Sequence, residues 1–342
     1  MKILLISPTQ SGIGGVAQHV QGLKKFLESQ GNYVEIISSE NTLTIPIKGL
    51  KNPSFMVSSF LKSKFKKKFD IVHAHNIPSA YAMKNVHGKK ILTQHGIFSQ
   101  QIDHLHGKTT GDISNKFEKN ALTWADAITV ISREAYEHYE KLGFQVIQIP
   151  NAISLNELPK EKDRRFEKQI IFVGRLSKEK GIKTIIELSR KLPIDVNFLI
   201  VGSGPESEKI KKLSETQQNL HFLGYQNHEN AIKLIRGSDI LIQPSFHEGV
   251  STTILEAMAC QIPIIASAVG GNEELILDTQ NGFLIDPNSS DEIIEKISIL
   301  LEDKTLAQKF GEKSSELIQN YEWSKIGQKY LELYKSLLDN DD

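Results

Sequence analysis

The sequence predicts an α/β protein with two Rossmann-like domains, each built on a parallel sheet that helices cover on both faces. Its 342 residues exceed the roughly 100–200 residues of a single domain. Twelve short apolar runs, many of them rich in Ile and Val, do not alternate with polar residues, as expected for strands buried on both faces. Amphipathic stretches separate these runs, and strands that alternate with helices are typical of parallel sheets.

The predicted strands form two groups of six. The first group covers residues 3–6, 34–37, 71–72, 91–92, 127–131 and 146–149. The second group covers residues 170–173, 198–201, 220–223, 240–242, 262–266 and 283–285. Amphipathic helices are predicted at 15–30, 114–125, 182–191 and 291–301. Six strands in each half favour two domains over a single (β/α)₈ barrel, whose first half would not end in a charged linker.

A polar segment at residues 154–168, which contains Pro159 and many charges, separates the two groups of strands. We interpret it as a linker between domains, and the alternative is a surface loop within one domain. The predicted domains are therefore residues 1–155 and residues 156–321.

The composition excludes several classes of protein. Hydrophobic residues make up 39% and charged residues 24% of the chain, which is ordinary for a globular protein and excludes disorder, collagen and coiled coil as its main state. The single cysteine, Cys260, cannot form an internal disulfide or a thiolate metal cluster, which predicts an intracellular, cytoplasmic protein. No apolar run approaches the roughly 18 residues of a membrane span, and the apolar start is too short for a signal peptide.

The net charge of zero conceals an asymmetry between the halves. Residues 1–155 contain 18 Lys and Arg against 11 Asp and Glu, whereas residues 156–342 contain 23 against 30. The first half also contains eight of the 11 histidines. A basic first half favours anionic partners.

Three glycines follow the first predicted strand, at Gly12, Gly14 and Gly15. Glycine allows the backbone to approach a ligand closely, and the helix that follows presents free N–H groups to an anion. The alternative is a tight turn between strand and helix. The spacing is not the dinucleotide-binding one, because Ala17 stands where that motif has glycine.

The corresponding segment of the second half begins at Gly174, directly after a strand. Arg175 and Lys180 place two cations at the carboxyl end of that strand, where open α/β sheets bind ligands. Both side chains are suited to phosphate oxygens, and the alternative is that they are solvated surface cations. Gly202 and Gly204 form a second glycine turn after the next strand.

The segment 246–259 contains two acidic residues, Glu248 and Glu256, eight positions apart. The residues between them include Gly249, Val250, Ser251, Thr252 and Thr253, and one of the last three is expected to cap a helix that runs through Ala259. Carboxylates accept hydrogen bonds from sugar hydroxyls, and a helix N-terminus favours an anion. A solvated helix with two unrelated acids is the alternative, which the apolar neighbours 254, 255, 257 and 258 disfavour.

Together these segments resemble the motifs of retaining glycosyltransferases with the GT-B fold, of the family 4 or group 1 type. The resemblance includes the two glutamates followed by Ala-Met-Ala, the Gly-Arg-Leu…Lys-Gly run, and, in the same order along the chain, the sequences at 14–15, 73–75, 93–96, 150–151 and 202–205. The segment from Tyr321 to Tyr334 resembles the last helix of the family. Gln261, where many members have glycine, and Val250-Ser251, in place of Phe-Gly, depart from the pattern.

The resemblance implies two Rossmann-like domains whose sheets face a central cleft, with a C-terminal helix at about 322–342 that crosses back to the first domain. It implies that the second domain binds a nucleotide-sugar donor of the UDP- or GDP-sugar type and that the first domain binds an acceptor. The acceptor is not identified, and a lipid-linked or polysaccharide precursor is the expected class. The expected reaction retains the configuration of the sugar and requires no cofactor.

The resemblance also assigns residue roles. Arg175 and Lys180 would bind the donor diphosphate, Glu248 the sugar hydroxyls, Glu256 the ribose, and His95 would orient the sugar. The remaining donor-binding residues would be Gly14, Gly15, Gly174, Gly202, Gly204, Gly249, Val250, Ser251 and Thr252. The alternatives to a transferase are a nucleotide-sugar epimerase and a non-catalytic sugar-nucleotide-binding partner of another transferase.

Two further hypotheses concern the first half. His73, His75, His95, His104 and His106 are a candidate metal site, and His73 and His75 would lie on the same face of a strand. We predict no metal, because Arg and Lys already supply positive charge at the phosphates.

The segment 55–69 combines aromatic residues with five lysines. One hypothesis is a basic amphipathic helix on an anionic membrane. The alternative is a helix that packs on the sheet through Phe55, Leu61 and Phe65. No nucleic-acid partner is predicted, because no recognised module accompanies the lysines.

Overall fold

A computed structural model describes residues 1–10, 14–45, 47, 50–98 and 111–339. The chain divides into two compact units. The first comprises Met1–Ala152 together with the residues from Trp323 onward, and the second comprises Ile153–Glu322. This division lies three residues before the predicted boundary.

The first unit contains a six-stranded sheet in which every strand pair is parallel. Its strands are β1 (Lys2–Ser7), β2 (Tyr33–Ser38), β3 (Ile71–His75), β4 (Lys89–Gln94), β5 (Ala127–Val130) and β6 (Ile147–Gln148). Their order in the sheet is β2-β1-β3-β4-β5-β6. All six predicted strands are confirmed, and the apolar side chains of β1, β3 and β4 are fully buried.

The described helices of this unit, before its last one, are α1 (Gly15–Ser29), α2 (Lys51–Ser63), α3 (Ile77–Lys84), α4 (Gly111–Leu122) and α5 (Arg133–Lys141). Apolar cores lie on both faces of the sheet, one formed with α1 and the other with α2, α3, α4 and α5. Both faces of each central strand are therefore buried, which explains why its sequence does not alternate.

The helix predicted over the basic segment is shorter than expected. α2 ends at Ser63, so residues 64–68 lie beyond it. Phe55 is buried as the packing hypothesis requires, but Leu61 and Phe65 are exposed, at 52% and 87%. The expectation that these two side chains pack on the sheet is therefore wrong, since they lie on the outer side of the segment.

The second unit repeats the architecture of the first. Its strands are β7 (Lys168–Val173), β8 (Val196–Val201), β9 (Leu220–Gly224), β10 (Ile240–Gln243), β11 (Ile264–Ser267) and β12 (Gly282–Ile285). They form a parallel sheet in the order β12-β11-β10-β7-β8-β9, and they confirm the second predicted group. Its helices are α6 (Ile182–Lys191), α7 (Ser207–Ser214), α8 (His228–Gly237), α9 (Thr252–Ala259), α10 (Asn272–Leu275), α11 (Ser290–Glu302) and α12 (Lys304–Leu317).

The charged segment at 154–168 lies along the second unit. The Asp163 N–H donates to the carbonyl of Lys233 over 2.9 Å, and the Arg164 guanidinium binds the Asp239 carboxylate at 3.0 Å. Gly237 permits this approach, because a Cβ there would lie 2.2 Å from the Asp163 carbonyl oxygen. The segment is therefore fixed to one unit over much of its length.

The last helix, α13 (Trp323–Asp339), belongs to the first unit, as the resemblance implied. It packs against α1 through two glycines, one on each helix. A Cβ on Gly22 would lie 2.2 Å from the Trp323 indole, and one on Gly327 would lie 2.3 Å from the Phe26 ring. Both substitutions would force the helices apart. Within the described part of the chain, no helix combines the length and apolarity that crossing a membrane requires.

Gln261, the departure from the family pattern, follows the end of α9. Its φ of 60° lies in the left-handed region, where glycine is normally preferred after a helix. The N–H of Ile262 donates back to the Ala257 carbonyl over 3.0 Å, which closes the helix in the usual way. A non-glycine residue here costs about 1 kcal/mol of backbone strain.

Candidate active site

Several predicted site residues follow strands at or next to the point where the order of strands in each sheet reverses. In the second unit β7 is flanked by β8 and β10, and in the first unit β1 is flanked by β2 and β3. The chain leaves such a point in opposite directions, which opens a crevice at the carboxyl ends of the strands. Arg175 and Lys180 follow β7, Glu248 follows β10, and His95 follows β4.

Lys180 and Glu248 form an ion pair at the switch point of the second unit. Lys180 ends a short 3₁₀ turn, Lys178–Lys180, and its Nζ lies 2.7 Å from Glu248 Oε1. Gln243 Nε2 and Ser245 Oγ donate to the same oxygen over 3.1 Å and 2.8 Å. All three contacts involve Oε1, so the other carboxylate oxygen has no hydrogen-bond partner among the residues that the structure describes. The adjacency of β7 and β10 brings these two loops together.

Arg175 lies in the same loop as Lys180 and is exposed, with no ion pair to any described residue. Its positive charge contributes to lowering the pKa of the nearby Glu179. Burial alone would raise the pKa of Glu179, but hydrogen bonding by Ser177 and the charges of Arg175 and Lys180 outweigh it, and the pKa is lowered. The loop after β7 therefore produces a positive electrostatic potential around Glu179.

Gly202 and Gly204 allow two loops of the second unit to pack on each other. Gly202 has a φ of +138°, and a Cβ there would lie 1.9 Å from the Gly174 carbonyl oxygen. A Cβ on Gly204 would lie 2.3 Å from the Leu176 carbonyl oxygen. Close backbone contacts therefore explain why glycine is required at 202 and 204. Contact of Gly174, Gly202 or Gly204 with a donor stays a prediction.

Glu256 is buried on α9 and is hydrogen-bonded to a histidine that no sequence motif indicates. Ser251 is the residue that caps this helix, and its hydroxyl accepts from the Ile254 N–H. His228 Nε2, at the start of α8, lies 2.8 Å from Glu256 Oε1. This hydrogen bond raises the pKa of His228 even though burial opposes it. The two residues are 28 positions apart, on neighbouring helices, so no sequence pattern links them.

The other predicted residues near Glu256 lie just before α9, except Thr252, which is the first residue of that helix. Val250 and Ser251 are buried, and Thr252 is half-buried. The Gly249 carbonyl accepts from the Gly271 N–H over 2.8 Å. These contacts fix the loop that carries Glu248.

Gly14 is the N-cap of α1, and Gly15 is its first residue. Gly14 has a φ of −74°, which any residue can adopt, and a Cβ there would have no atom within 4 Å. Neither backbone strain nor packing against a described residue requires glycine at this position. Gly12, which the sequence prediction also included, lies outside the described residues.

His73, His75 and His95 are brought together in the first unit, with His19 of α1 as a fourth member that the prediction missed. The rings of His73 and His75 stack with centroids 4.3 Å apart, as their predicted shared face requires. His75 Nδ1 and His95 Nε2 are hydrogen-bonded over 3.1 Å, and the His19 and His95 centroids are 4.8 Å apart. We call these four residues the histidine cluster. His104 and His106 lie outside the described residues.

Burial keeps the histidine cluster neutral at pH 7. It lowers the pKa of His19 to about 4 and the pKa values of His73, His75 and His95 well below 6.5. Positive charge on neighbouring rings would lower the last three further. A neutral imidazole can both donate and accept a hydrogen bond.

The C-terminal helix reaches this cluster through two buried tyrosines. The Tyr334 hydroxyl lies 2.7 Å from His73 Nδ1, and the Tyr330 hydroxyl lies 3.3 Å from His19 Nε2. The other nitrogen of His73 bonds to Thr93 Oγ1 over 2.6 Å. The helix that crosses back therefore completes the interior next to His95.

Asn76 sets the position of the His95 backbone. Its φ of 62° and ψ of 159° are a combination that residues other than glycine rarely adopt. In this conformation its side-chain oxygen accepts from the His95 N–H over 3.0 Å. Asn76 therefore joins the end of β3 to the end of β4.

Comparisons with known proteins agree with this architecture. Residues 156–317 match the family model of the group 1 glycosyl transferases, and residues 13–157 match that of glycosyltransferase family 4. An uncharacterised glycosyltransferase of Haemophilus influenzae is 31% identical over 271 residues, which are 76% of this chain and 72% of that protein.

Two solved structures share the fold. Sucrose-phosphate synthase from Thermosynechococcus elongatus superimposes with a TM-score of 0.81 at 22% identity and covers 99% of each chain. The Anabaena protein HepE in complex with UDP and glucose has a TM-score of 0.76 at 19% identity, over 98% of this chain and 100% of that one. The chain belongs to the family 4, group 1 glycosyltransferases of the GT-B fold.

Proposed function

We propose that this glycosyltransferase moves a sugar from a nucleotide-diphosphate sugar to an acceptor with retention of configuration. The observation on which this rests is the Lys180–Glu248 pair at the switch point, with Arg175 exposed in the same loop. Two cations beside a carboxylate with one free oxygen suit a ligand that carries both phosphates and hydroxyls. The Anabaena structure with UDP and glucose supports a donor of the same class.

The cations would act on the charge that develops during transfer. As the bond between sugar and phosphate breaks, negative charge grows on the diphosphate. Arg175 and Lys180 would stabilise that charge, and an interaction that strengthens in the transition state accelerates the reaction. Because Lys180 already bonds to Glu248, the diphosphate must compete with, or join, this ion pair.

The carboxylates would recognise hydroxyls. Glu248 would accept hydrogen bonds from the sugar through Oε2, while Oε1 stays bonded to Lys180, Gln243 and Ser245. Glu256, held by His228, would accept from the ribose. Gly14 and Gly15 are proposed to contact the donor through backbone N–H groups at the start of α1.

The retained configuration would follow from the donor itself. If a phosphate oxygen of the leaving group takes the acceptor proton, no separate carboxylate is needed as a base. In this scheme the free oxygen of Glu248, Oε2, serves the donor-sugar hydroxyls, while Oε1 is already bonded to Lys180, Gln243 and Ser245. We therefore assign front-face displacement as the mechanism.

Nucleotide sugars should raise the melting temperature of the protein. A ligand at 100 times its dissociation constant adds about 2.7 kcal/mol of stability. A thermal-shift screen of UDP- and GDP-sugars, with each free nucleoside diphosphate and nucleoside alongside, identifies the donor base and the contribution of the sugar. A set of unchanged melting temperatures across both series would contradict a nucleotide-sugar donor.

Transfer should also survive chelation. The proposed diphosphate site contains Arg175 and Lys180 instead of a cluster of acidic metal ligands, so positive charge is already present there. Sugar transfer in excess EDTA should equal transfer with added Mg²⁺ or Mn²⁺. Activity that is lost with EDTA and returns with added metal would contradict this expectation and support the hypothesis that the histidines bind a metal.

We further propose that the acceptor is lipid-linked and that the segment 55–69, together with exposed apolar residues that precede it, contacts an anionic membrane surface on the cytoplasmic side. Of the thirteen large apolar side chains that the described residues expose, seven lie between positions 43 and 65. Val57 and Leu61 are four residues apart on α2 and so share one face. Lys64, Lys67 and Lys68 are exposed directly after the helix. Apolar side chains flanked by lysines suit an interface between acyl chains and anionic headgroups.

Removing those lysines should weaken vesicle binding in a salt-dependent way. Each lysine near an anionic surface contributes roughly 1 kcal/mol, so changing Lys64, Lys67 and Lys68 to Gln should reduce binding by up to about 100-fold at low salt. Co-sedimentation with anionic and with neutral vesicles measures the effect. The matched control changes Lys209, Lys211 and Lys212 to Gln, which removes the same charge from α7. Equal losses in both variants would show that net charge, and not this segment, is responsible.

A further inference from the structure

A hydrogen bond joins a buried carboxylate to an exposed histidine within the second unit. His228 begins α8, and its Nε2 lies 2.8 Å from Oε1 of Glu256 on the neighbouring helix α9. The side chain of Glu256 is 6% exposed, whereas that of His228 is 45% exposed. A carboxylate oxygen only accepts hydrogen bonds, so Nε2 has a hydrogen whether the ring is neutral or charged. His228 therefore gains or loses its proton at Nδ1, on a ring that solvent reaches.

The surroundings of His228 favour its protonated form. The hydrogen bond to Glu256 raises the pKa of His228 most, partial burial opposes it, and the charges of Glu256 and Glu157 raise it further. Among the described residues, these two acids are the charged groups that act on the ring from other elements, α9 and the segment before β7. On α8 itself, the adjacent Glu229 is paired with Lys233 over 2.6 Å. His228 therefore keeps its proton to a higher pH than an ordinary histidine does.

This proton bears on the binding of an anionic ligand. If a ribose hydroxyl donates to Glu256, the diphosphate of the same nucleotide lies within about 10 Å of His228, which is the Debye length in roughly 0.1 M salt. A buried carboxylate beside a neutral histidine adds a negative charge to the site and repels the phosphates. Beside a protonated histidine the same carboxylate is compensated. The charge of His228 therefore affects how well an anionic nucleotide binds.

We propose that His228 is a positioning residue that orients Glu256 toward the ribose, and that nucleotide binding is accompanied by uptake of a proton from solvent at its Nδ1. The proposal concerns the second unit alone, and it rests on the proposed function because it takes Glu256 as the acceptor of the ribose. Affinity is then highest where His228 is charged and falls as the pH rises through its pKa. For one proton the fall cannot exceed about tenfold per pH unit.

The pH dependence of UDP-glucose binding tests the proton. Both phosphates of this probe are esterified, whereas a terminal phosphate would itself titrate near about pH 6. Between pH 6.5 and pH 8.5 the affinity of the wild type should fall about tenfold, and by less at high salt. Calorimetry at pH 7.5 in two buffers of different ionisation enthalpy should show net proton uptake. If the thermal-shift screen selects guanine, GDP-glucose replaces UDP-glucose throughout.

Substitutions at position 228 separate the proton from the hydrogen bond. His228→Gln keeps an N–H that can reach Glu256 but does not titrate, and His228→Leu has neither property. His228→Gln should bind the probe equally at every pH, with the affinity of the wild type at pH 8.5. His228→Leu should bind about tenfold more weakly than His228→Gln. The matched control is His221→Gln, which replaces a histidine of the same unit whose ring bonds to Asn197 instead.

The ribose hydroxyls give a measurement that a mere loss of packing would not change. At a single pH, the wild type and His228→Gln should prefer UDP to its 2′- or 3′-deoxy analogue about tenfold, and His228→Leu should lose most of that preference. An equal preference in all three proteins would overturn the positioning role. A wild-type affinity that does not vary with pH, or the same variation in His228→Gln, would overturn the proton uptake. If the wild type binds no nucleotide sugar at any pH, the proposed function itself fails.

Discussion

The first unit should lose several kcal/mol of stability between pH 7 and pH 5. Burial lowers the pKa values of His19, His73, His75 and His95, whereas in the unfolded chain each should titrate near 6.5. Below pH 6.5 the unfolded chain binds protons that the folded unit does not, so stability falls as the pH falls. At pH 5 a ring that stays neutral, as expected for His19, costs about 2 kcal/mol, and each further ring of the cluster that stays neutral adds to the loss.

Urea unfolding followed by tryptophan fluorescence measures this effect in the first unit alone, because Trp124 and Trp323 are the two tryptophans of the chain and both belong to that unit. His19→Gln should reduce the dependence of unfolding free energy on pH by about 1.4 kcal/mol per pH unit, which is one proton. The control His87→Gln replaces an exposed histidine that lies outside the histidine cluster. A wild-type free energy that is equal at pH 7 and pH 5 would contradict the prediction.

The strands were predictable because a strand buried on both faces is a run of apolar residues that does not alternate with polar ones. β1 and β8 each contain a run of four apolar residues, and each strand was located to within about two residues of its ends. The predicted end of β3 fell short, since His73 and His75 are polar residues in a fully buried strand. Helix α3 was not among the predicted helices because most of its residues are buried, so it lacks the polar face of an amphipathic helix.

The candidate site was predictable residue by residue but not as a set of contacts. Lys180 and Glu248 were each chosen from local motifs, and their ion pair depends on β10 lying beside β7, which neither motif specifies. His228 and Tyr330 contact Glu256 and His19 across the fold, 28 and 311 positions away in sequence. Such partners carry no local signal, because side chains of their type are common on any helix.

Loss of either loop cation should weaken binding of a nucleoside diphosphate. A charge-assisted hydrogen bond to phosphate contributes about 1.5–3 kcal/mol, so Arg175→Ala and Lys180→Ala should each reduce affinity roughly 10- to 150-fold. The rate of transfer should fall further, by about 10²–10³, because the charge grows in the transition state. Calorimetry with the nucleoside diphosphate and a transfer assay measure the two effects. Lys178→Ala removes an exposed lysine from the same turn and is the matched control.

The ion pair adds a second comparison, because the diphosphate of the proposed donor would compete with Glu248 for Lys180. Glu248→Gln removes the competing charge, so the nucleoside diphosphate should bind as well as to the wild type or more tightly. The same variant loses the carboxylate that would accept from the sugar, so the intact nucleotide sugar should no longer bind better than the diphosphate. Binding of the diphosphate and binding of the nucleotide sugar would therefore respond differently to Glu248→Gln. If Glu248 only supported the loop, the substitution would weaken binding of both ligands. If Arg175→Ala and Lys180→Ala both bind the diphosphate normally, the phosphates lie elsewhere, and the proposed roles of the loop after β7 fail.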